Sequence, residues 1–232
     1  MRESLNQPVV LKRHQRARRL RLRLDPVTGG AVLVIPKRAS LREAQKFLDS
    51  NKEWIEQQQA RLAPARGFAP GELFDLFGEK NVLRHDPQHR GRPLLANGEL
   101  VAGGAPEFFA RRVRDFLKEE ARQRFEPLAR TFATQLGVRL VRFSLREAVS
   151  RWGSCSVSGH ISLNWKLVFA PHNVARYVVA HEVAHLREHN HAPAFWMLVN
   201  QLVGEYRTER VWLARHGSSL LRLGNKMSGS KK

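Results

Sequence analysis

Cysteine occurs once in the 232 residues, as Cys155, so no intramolecular disulfide is available and a hydrophobic core must hold the fold. A lone thiol suits a reducing compartment, and a cytoplasmic location is the expectation. Acid is scarce too: 21 Asp plus Glu stand against 40 Lys plus Arg, a net charge of +19. That balance favours polyanions as partners: nucleic acid, nucleotides or an anionic membrane surface. No apolar run approaches the roughly 20 residues of a membrane-spanning helix, so no membrane span is expected. The opening MRESLNQPVVLKRHQRARRL has neither a continuous apolar segment nor a small-residue cleavage site, so no secretory signal is expected. No internal repeat is visible. Hydrophobic residues make up 42% of the chain, enough for one large core or two small ones.

Turn residues punctuate the first half. Val9 to Leu11, Leu20 to Leu24 and Ala31 to Ile35 read as strands, the second and third joined by Asp25-Pro26-Val27-Thr28-Gly29-Gly30. Leu20, Leu22 and Leu24 face one way and Arg19, Arg21 and Arg23 the other, an arginine row that is either a solvated sheet face or a nucleic-acid contact. Ser40-Leu41-Arg42-Glu43 is a capping box that predicts a helix running toward Leu62, with Leu41, Ala44, Phe47 or Leu48, and Ile55 inward. Pro64 to Gly71 breaks it. Strands follow at Leu73 to Phe77 and Asn81 to His85, with a hairpin at Asn97-Gly98 suited to a type I′ turn.

Ala102-Gly103-Gly104-Ala105-Pro106 marks the expected domain boundary. It separates an N-terminal β-rich module with one helix, 1–105, from a second unit, 106–223, and a disordered tail, 224–232. Pro106 to about Leu136 predicts a helix interrupted at Pro127 and capped by Gly137. Ala194 to Val203 and Glu205 to His216 read as two more helices, the last stopped by Gly217.

His181-Glu182-Val183-Ala184-His185 carries the chemistry. From Pro171 onward, Val174, Tyr177, Val178, His181 and His185 form an apolar stripe of helical period, so both histidines share the buried face of one helix. At ~1.5 Å rise per residue they stand about 6 Å apart along the axis, and both rings can reach one ion. Glu182 projects about 100° around the same axis, placed to act on a water beside the metal without ligating it. Neutral imidazole ligands, an open position for water and a carboxylate base are what a zinc hydrolase requires. The structural alternative is an ordinary salt-bridged helix in a basic protein.

A third ligand must come from downstream. His191 lies ten residues after His181, and Pro193 signals that a new helix starts there, so His191 can fold back toward the pair from the turn. His189 competes, but on a continuing helix it would lie about 12 Å in rise from His181, too far for one tetrahedral ion. Glu205 and Glu209 are the carboxylate alternatives.

Arg151 to Ser156 and His160 to Val168 read as a hairpin turned by Val157-Ser158-Gly159. Ser162, Asn164 and Lys166 alternate with Ile161, Leu163 and Trp165, which predicts a polar face toward the cleft. Arg151, Trp152, Asn164 and Trp165 are thus the candidate substrate-binding residues, weighed against packing roles for the tryptophans. Arg151, Asn164 and Tyr206 are candidates for stabilising an oxyanion.

The runs RWGSCSVSGHISLNWKLVFAP and YVVAHEVAHLREHNHAPAFW, together with the Arg-rich first strand and VIPKRAS, resemble the YgjP-like metallopeptidase family, related to the SprT-like zincins. The likeness covers nearly the whole chain. It implies His181, His185 and His191 as Zn2+ ligands and Glu182 as catalytic base. The expected fold is α+β, an N-terminal β-rich module followed by a zincin-like catalytic unit whose helix carries HExxH. The expected activity is that of a zinc-dependent metallopeptidase, with a zinc-bound water activated by Glu182 and a peptide or protein as substrate. Two alternatives remain. One is a metal-dependent nucleotide phosphate hydrolase of pyrophosphatase type. The other is a basic nucleic-acid-binding module with a structural metal, which would need a fourth ligand such as Cys155 or His189.

Overall fold

The computed structural model describes residues 9–25, 28–60, 66–148 and 151–224. Its N-terminal module is a three-stranded sheet of β1 (Val10–His14), β2 (Arg21–Leu24) and β3 (Ala31–Pro36), in the order β1-β3-β2. Strand β1 is parallel and β2 antiparallel to the central β3. Helices α1 (Leu41–Asp49) and α2 (Lys52–Ala60) cover one face, enclosing Ala31, Leu33, Ile35, Ala44, Leu48 and Ile55.

The capping box forms: the Ser40 hydroxyl accepts from the Glu43 N–H at 3.1 Å, and the Glu43 carboxylate accepts from the Ser40 N–H at 2.7 Å. The single helix expected here is two. The Ser50 hydroxyl and Asn51 amide donate to the Lys46 and Phe47 carbonyls, competing with the helical ladder and ending α1. Leu41, expected inward, is exposed. Continuation toward Leu62 and the break at Pro64 lie outside the described residues, as does residue 225 onward of the expected tail.

A second sheet contains β4 (Leu73–Leu76), β5 (Glu79–His85), β6 (Leu94–Ala96) and β7 (Glu99–Ala102), in the order β4-β5-β7-β6. Asn97 and Gly98 both take positive φ, 51° and 76°, as a type I′ turn demands. The inner residues Phe74, Leu76, Leu83 and Leu100 join the same core as the helices that follow. The buried residues fall in two clusters, one ending at Ile55 and one beginning at Phe68, and the second sheet shares the latter with residues 106–135, beyond the boundary expected at 102–106.

Helix α3 (Pro106–Gln135) is continuous, and Pro127 does not interrupt it. Phe125 and Ala129 are buried on either side of the proline, while Gln123, whose carbonyl loses its partner, is exposed to water. Gly137 at φ 65° ends the helix, with the Val138 N–H donating to the Ala133 carbonyl.

A third sheet, β8-β10-β9, comprises β8 (Arg142–Arg146), β9 (Gly153–Cys155) and β10 (His160–Asn164). Strand β10 stops earlier than expected: Trp165–Phe169 is a 3₁₀ helix, whose Lys166 N–H donates to the Asn164 side chain at 3.1 Å. All five of its residues are buried. Helices α4 (His172–Ala184), α5 (Pro193–Val203) and α6 (Arg207–Leu220) complete the order. Helix α4 packs against α3, α5, α6 and β9, so it is buried on most sides, where a one-sided stripe was expected. Gly217 sits inside α6 and does not stop it: a Cβ there would come 3.0 Å from the Trp152 indole nitrogen. No described helix is long and apolar enough to cross a membrane.

Candidate metal centre

Helix α4 delivers His181 and Glu182 in its last turn and His185 as its C-cap. The chain then reverses. The Leu186 and Glu188 N–H groups donate to the Val183 and Ala184 carbonyls, and the Ala192 N–H donates to the Asn190 side chain at 3.0 Å. This turn returns His191 to the pair just before Pro193 opens α5 at its first position, where the missing N–H costs no hydrogen bond. One ring nitrogen from each of His181, His185 and His191 lies within 4.8 Å of the others.

The donor set fits a metal ion. The Nε2 atoms of His181 and His191 face each other at 3.1 Å. Nitrogens about 2.0–2.1 Å from a shared tetrahedral zinc stand about 3.3 Å apart, so this separation is near that of two ligands. His185 uses its Nδ1–H to donate to the Glu188 carbonyl at 2.9 Å, which leaves Nε2 with a free lone pair. His181 Nδ1 is buried with no hydrogen-bond partner among the described residues. Beneath the three rings lies fully buried Phe195, with centroids 4.9, 4.5 and 4.7 Å from His181, His185 and His191. Burial on this apolar floor favours the neutral form of His181 and His185, the form a ligand needs. Burial, with His185, His191 and Arg210 nearby, pushes His181 down to about 3. Burial also lowers His185.

Glu182 is 6% exposed. Burial pushes its carboxyl up to about 7, with the charge of Arg151 opposing. Its side chain lies against Gly153 of β9, where a Cβ would stand 2.5 Å from the Glu182 carboxyl carbon. Only a residue without a side chain leaves room for the carboxylate at this strand.

The other expected residues divide. Arg151, Trp152 and Asn164 line a cavity of about 180 Å³ with Gly153 and Ser154, beside Glu182. Asn164 and Trp165 are both nearly fully buried. Asn164, 2% exposed, donates from its amide to the Ala148 carbonyl at 2.8 Å and accepts from the Lys166 N–H, so both ends of its side chain are already engaged. Trp165, 1% exposed, packs edge-on against Phe169 and directs its indole N–H to Glu147 at 3.4 Å. Lys166, expected to face the cleft, is buried, pairing with Glu147 at 3.1 Å and donating to the Leu221 carbonyl at 2.8 Å. The strand ends at Asn164, so the alternation that would have aimed these residues outward is lost.

Tyr206 is stacked between Tyr177 and Trp196, with centroids at 5.8 and 5.3 Å. The rival ligands are engaged elsewhere: Glu205 accepts from the Tyr206 and Arg207 N–H groups, and Glu209 accepts from Asn173. His189 and Cys155 are not part of the ligand group among the described residues. Burial, then the charge of Glu182, pushes the Cys155 thiol up to about 11, the setting of an unreactive thiol. Sequence reasoning missed Gly153, Phe195 and Arg210. Phe195 and Arg210 are separated from the HExxH run in sequence, and a glycine in a strand signals only that something approaches closely.

Residues 18–216 match the family model described as YgjP-like, metallopeptidase domain. The chain belongs to this family. The family is one of metal-dependent peptidases. No curated protein gives a significant match. Among solved structures, the metallopeptidase zymogen abylysin of Pyrococcus abyssi is similar at 21% identity, over 40% of this chain and 92% of that one, with a TM-score of 0.35.

Proposed function

We propose that the protein is a zinc-dependent peptidase in which His181, His185 and His191 hold the metal and Glu182 is the general base. The observation that carries this reading is the convergence of three imidazole nitrogens within 4.8 Å above the Phe195 ring, two of them delivered by the helix that also carries buried Glu182. Three imidazoles make zinc the default ion. When bound there, zinc supplies Lewis acidity and makes water more acidic.

The chain's own residues do the rest. Glu182, raised toward neutrality by burial, can accept a proton from the attacking water and return it to the leaving amine. Gly153 sets the position of that carboxylate, and the Glu188 carbonyl fixes the His185 ring. Strand β9 pairs only with β10 among the described strands, so its other edge is free to hydrogen-bond an extended peptide. Arg151 and Trp152, just before that strand, are the substrate contacts in this reading.

The test is metal analysis joined to an assay on unfolded protein, with nucleoside triphosphates as a parallel substrate. Glu182→Gln should keep the zinc of the parent and lose peptide hydrolysis. Turnover that survives in Glu182→Gln removes Glu182 from the mechanism, and release of phosphate without peptide cleavage replaces the substrate class.

A further inference from the structure

The N-terminal sheet has a second, unrelated feature. Paired residues on neighbouring strands share a face, so Leu22 and Leu33 point into the small core while Arg21, Val34 and Lys12 point away from it. Arg23 lies opposite Val32 on this outward face. The connection from β1 to β2 must cross the end of β3, because β3 lies between them, and it carries Arg16, Arg18 and Arg19 over the sheet. Strand face and crossing segment enclose a groove of about 610 Å³, lined by His14, Arg16, Arg18, Arg19, Arg21 and Arg23, with Val34 in its floor.

All five arginines are exposed, and none forms an ion pair with a carboxylate among the described residues. Five like charges around one concavity repel one another and destabilise the module, so the free groove is electrostatically unsatisfied. Arginine, rather than lysine, lines it. The planar guanidinium matches phosphate oxygens with two parallel hydrogen bonds, and it gives up hydration more readily than an ammonium. Arg19, Arg21 and Arg23 repeat every second residue, placing charges about 7 Å apart in a row, as suits a chain of regularly spaced anions. The groove contains no Phe, Tyr or Trp on which bases could stack, His14 being its one aromatic ring, and no apolar wedge to enter a lipid layer.

We propose that this groove binds the phosphate backbone of nucleic acid without reading base sequence. It supplies the protein with a second binding site, separate from the metal centre and independent of the peptidase assignment.

The experiment uses the full chain and fluorescence anisotropy with labelled single-stranded DNA, single-stranded RNA and duplex DNA of mixed sequence. If all five arginines meet phosphates of a duplex, raising salt from about 50 to about 200 mM should weaken binding about 500-fold, since each contact contributes about 0.9 to the logarithmic slope. Arg19→Ala, Arg21→Ala and Arg23→Ala together should leave about a 10-fold salt effect, two contacts remaining. A control that replaces Arg90, Arg139 and Arg215, exposed on other segments, removes the same charge and should behave as the parent. Equal losses in both triple variants, or a flat salt dependence, overturn the groove. So does binding to anionic phospholipid vesicles, but not to nucleic acid, with the same arginine dependence. Zinc content and peptide hydrolysis should be unchanged in the groove variant. If the parent chain binds nucleic acid with this salt and arginine dependence but hydrolyses no peptide, the groove stands and only the peptidase reading fails.

Discussion

Gly153→Ala isolates the position of the Glu182 carboxylate from the chemistry proposed for it. Gly153 does not have positive φ, so alanine is acceptable to the backbone and the perturbation is steric. The new Cβ would stand 2.5 Å from the Glu182 carboxyl carbon, where carbon atoms in contact keep about 3.5 Å. Something must therefore retreat by about 1 Å. Glu182 sits on buried α4 and its side chain is the softer partner, so the carboxylate moves. A displacement of about 1 Å at a reacting group lowers turnover about 100-fold, or about 2.7 kcal/mol in barrier. The assay is steady-state peptide hydrolysis with parallel zinc analysis: kcat should fall about 100-fold, with KM and zinc stoichiometry held. In a Glu182→Gln background the same alanine should cost little further, because it acts through that carboxylate. Unchanged kcat would mean that edge strand β9 yields in place of Glu182, refuting the positioning argument. Loss of zinc would mean that the clash is transmitted to the histidines.

Other consequences are more direct. His191→Ala should release zinc while His189→Ala retains it, read by metal content after gel filtration; the opposite result reassigns the third ligand. Phe195→Ala should destabilise the fold by about 3–5 kcal/mol and weaken zinc retention, measured by denaturation with and without chelator; unchanged metal affinity would show that the rings do not depend on this floor. Burial raises the Glu147 carboxyl, but the hydrogen bond and charge of Lys166 and the Trp165 indole outweigh it and hold the group below its ordinary value. Glu147 therefore binds fewer protons folded than unfolded in that acid range. Its stabilisation is complete above its ordinary value of 4.5 and is lost as pH falls through the lowered one. Glu147→Gln should flatten the acid limb of the denaturation-midpoint curve below the ordinary value of 4.5, and an unchanged limb would rule out this pair as a source of acid sensitivity. Lys166 is itself lowered by burial, so the pairing restores only part of what its desolvation costs.

What could be read from the chain alone is what depends on neighbours in sequence. Helical spacing put His181 and His185 one turn apart, Pro193 marked where α5 begins, Ser40 and Glu43 specified their cap, and Asn97-Gly98 its turn. Family likeness selected the same three histidines. Each of these follows from backbone geometry over a few residues.

Tertiary structure decided the rest, because it depends on atoms distant along the chain. Asn164 caps a 3₁₀ helix and Trp165 and Lys166 turn inward only because Glu147 and Leu221 wait for them. Gly153 meets Glu182 across 29 positions of sequence, and Phe195 lies under rings that come from α4 and the following turn. The sheet before the glycines at 102–106 shares its buried cluster with α3 after them. Local spacing chooses which side chains can share one ion; long-range packing sets the floor, the carboxylate's place and the dryness that let them do so.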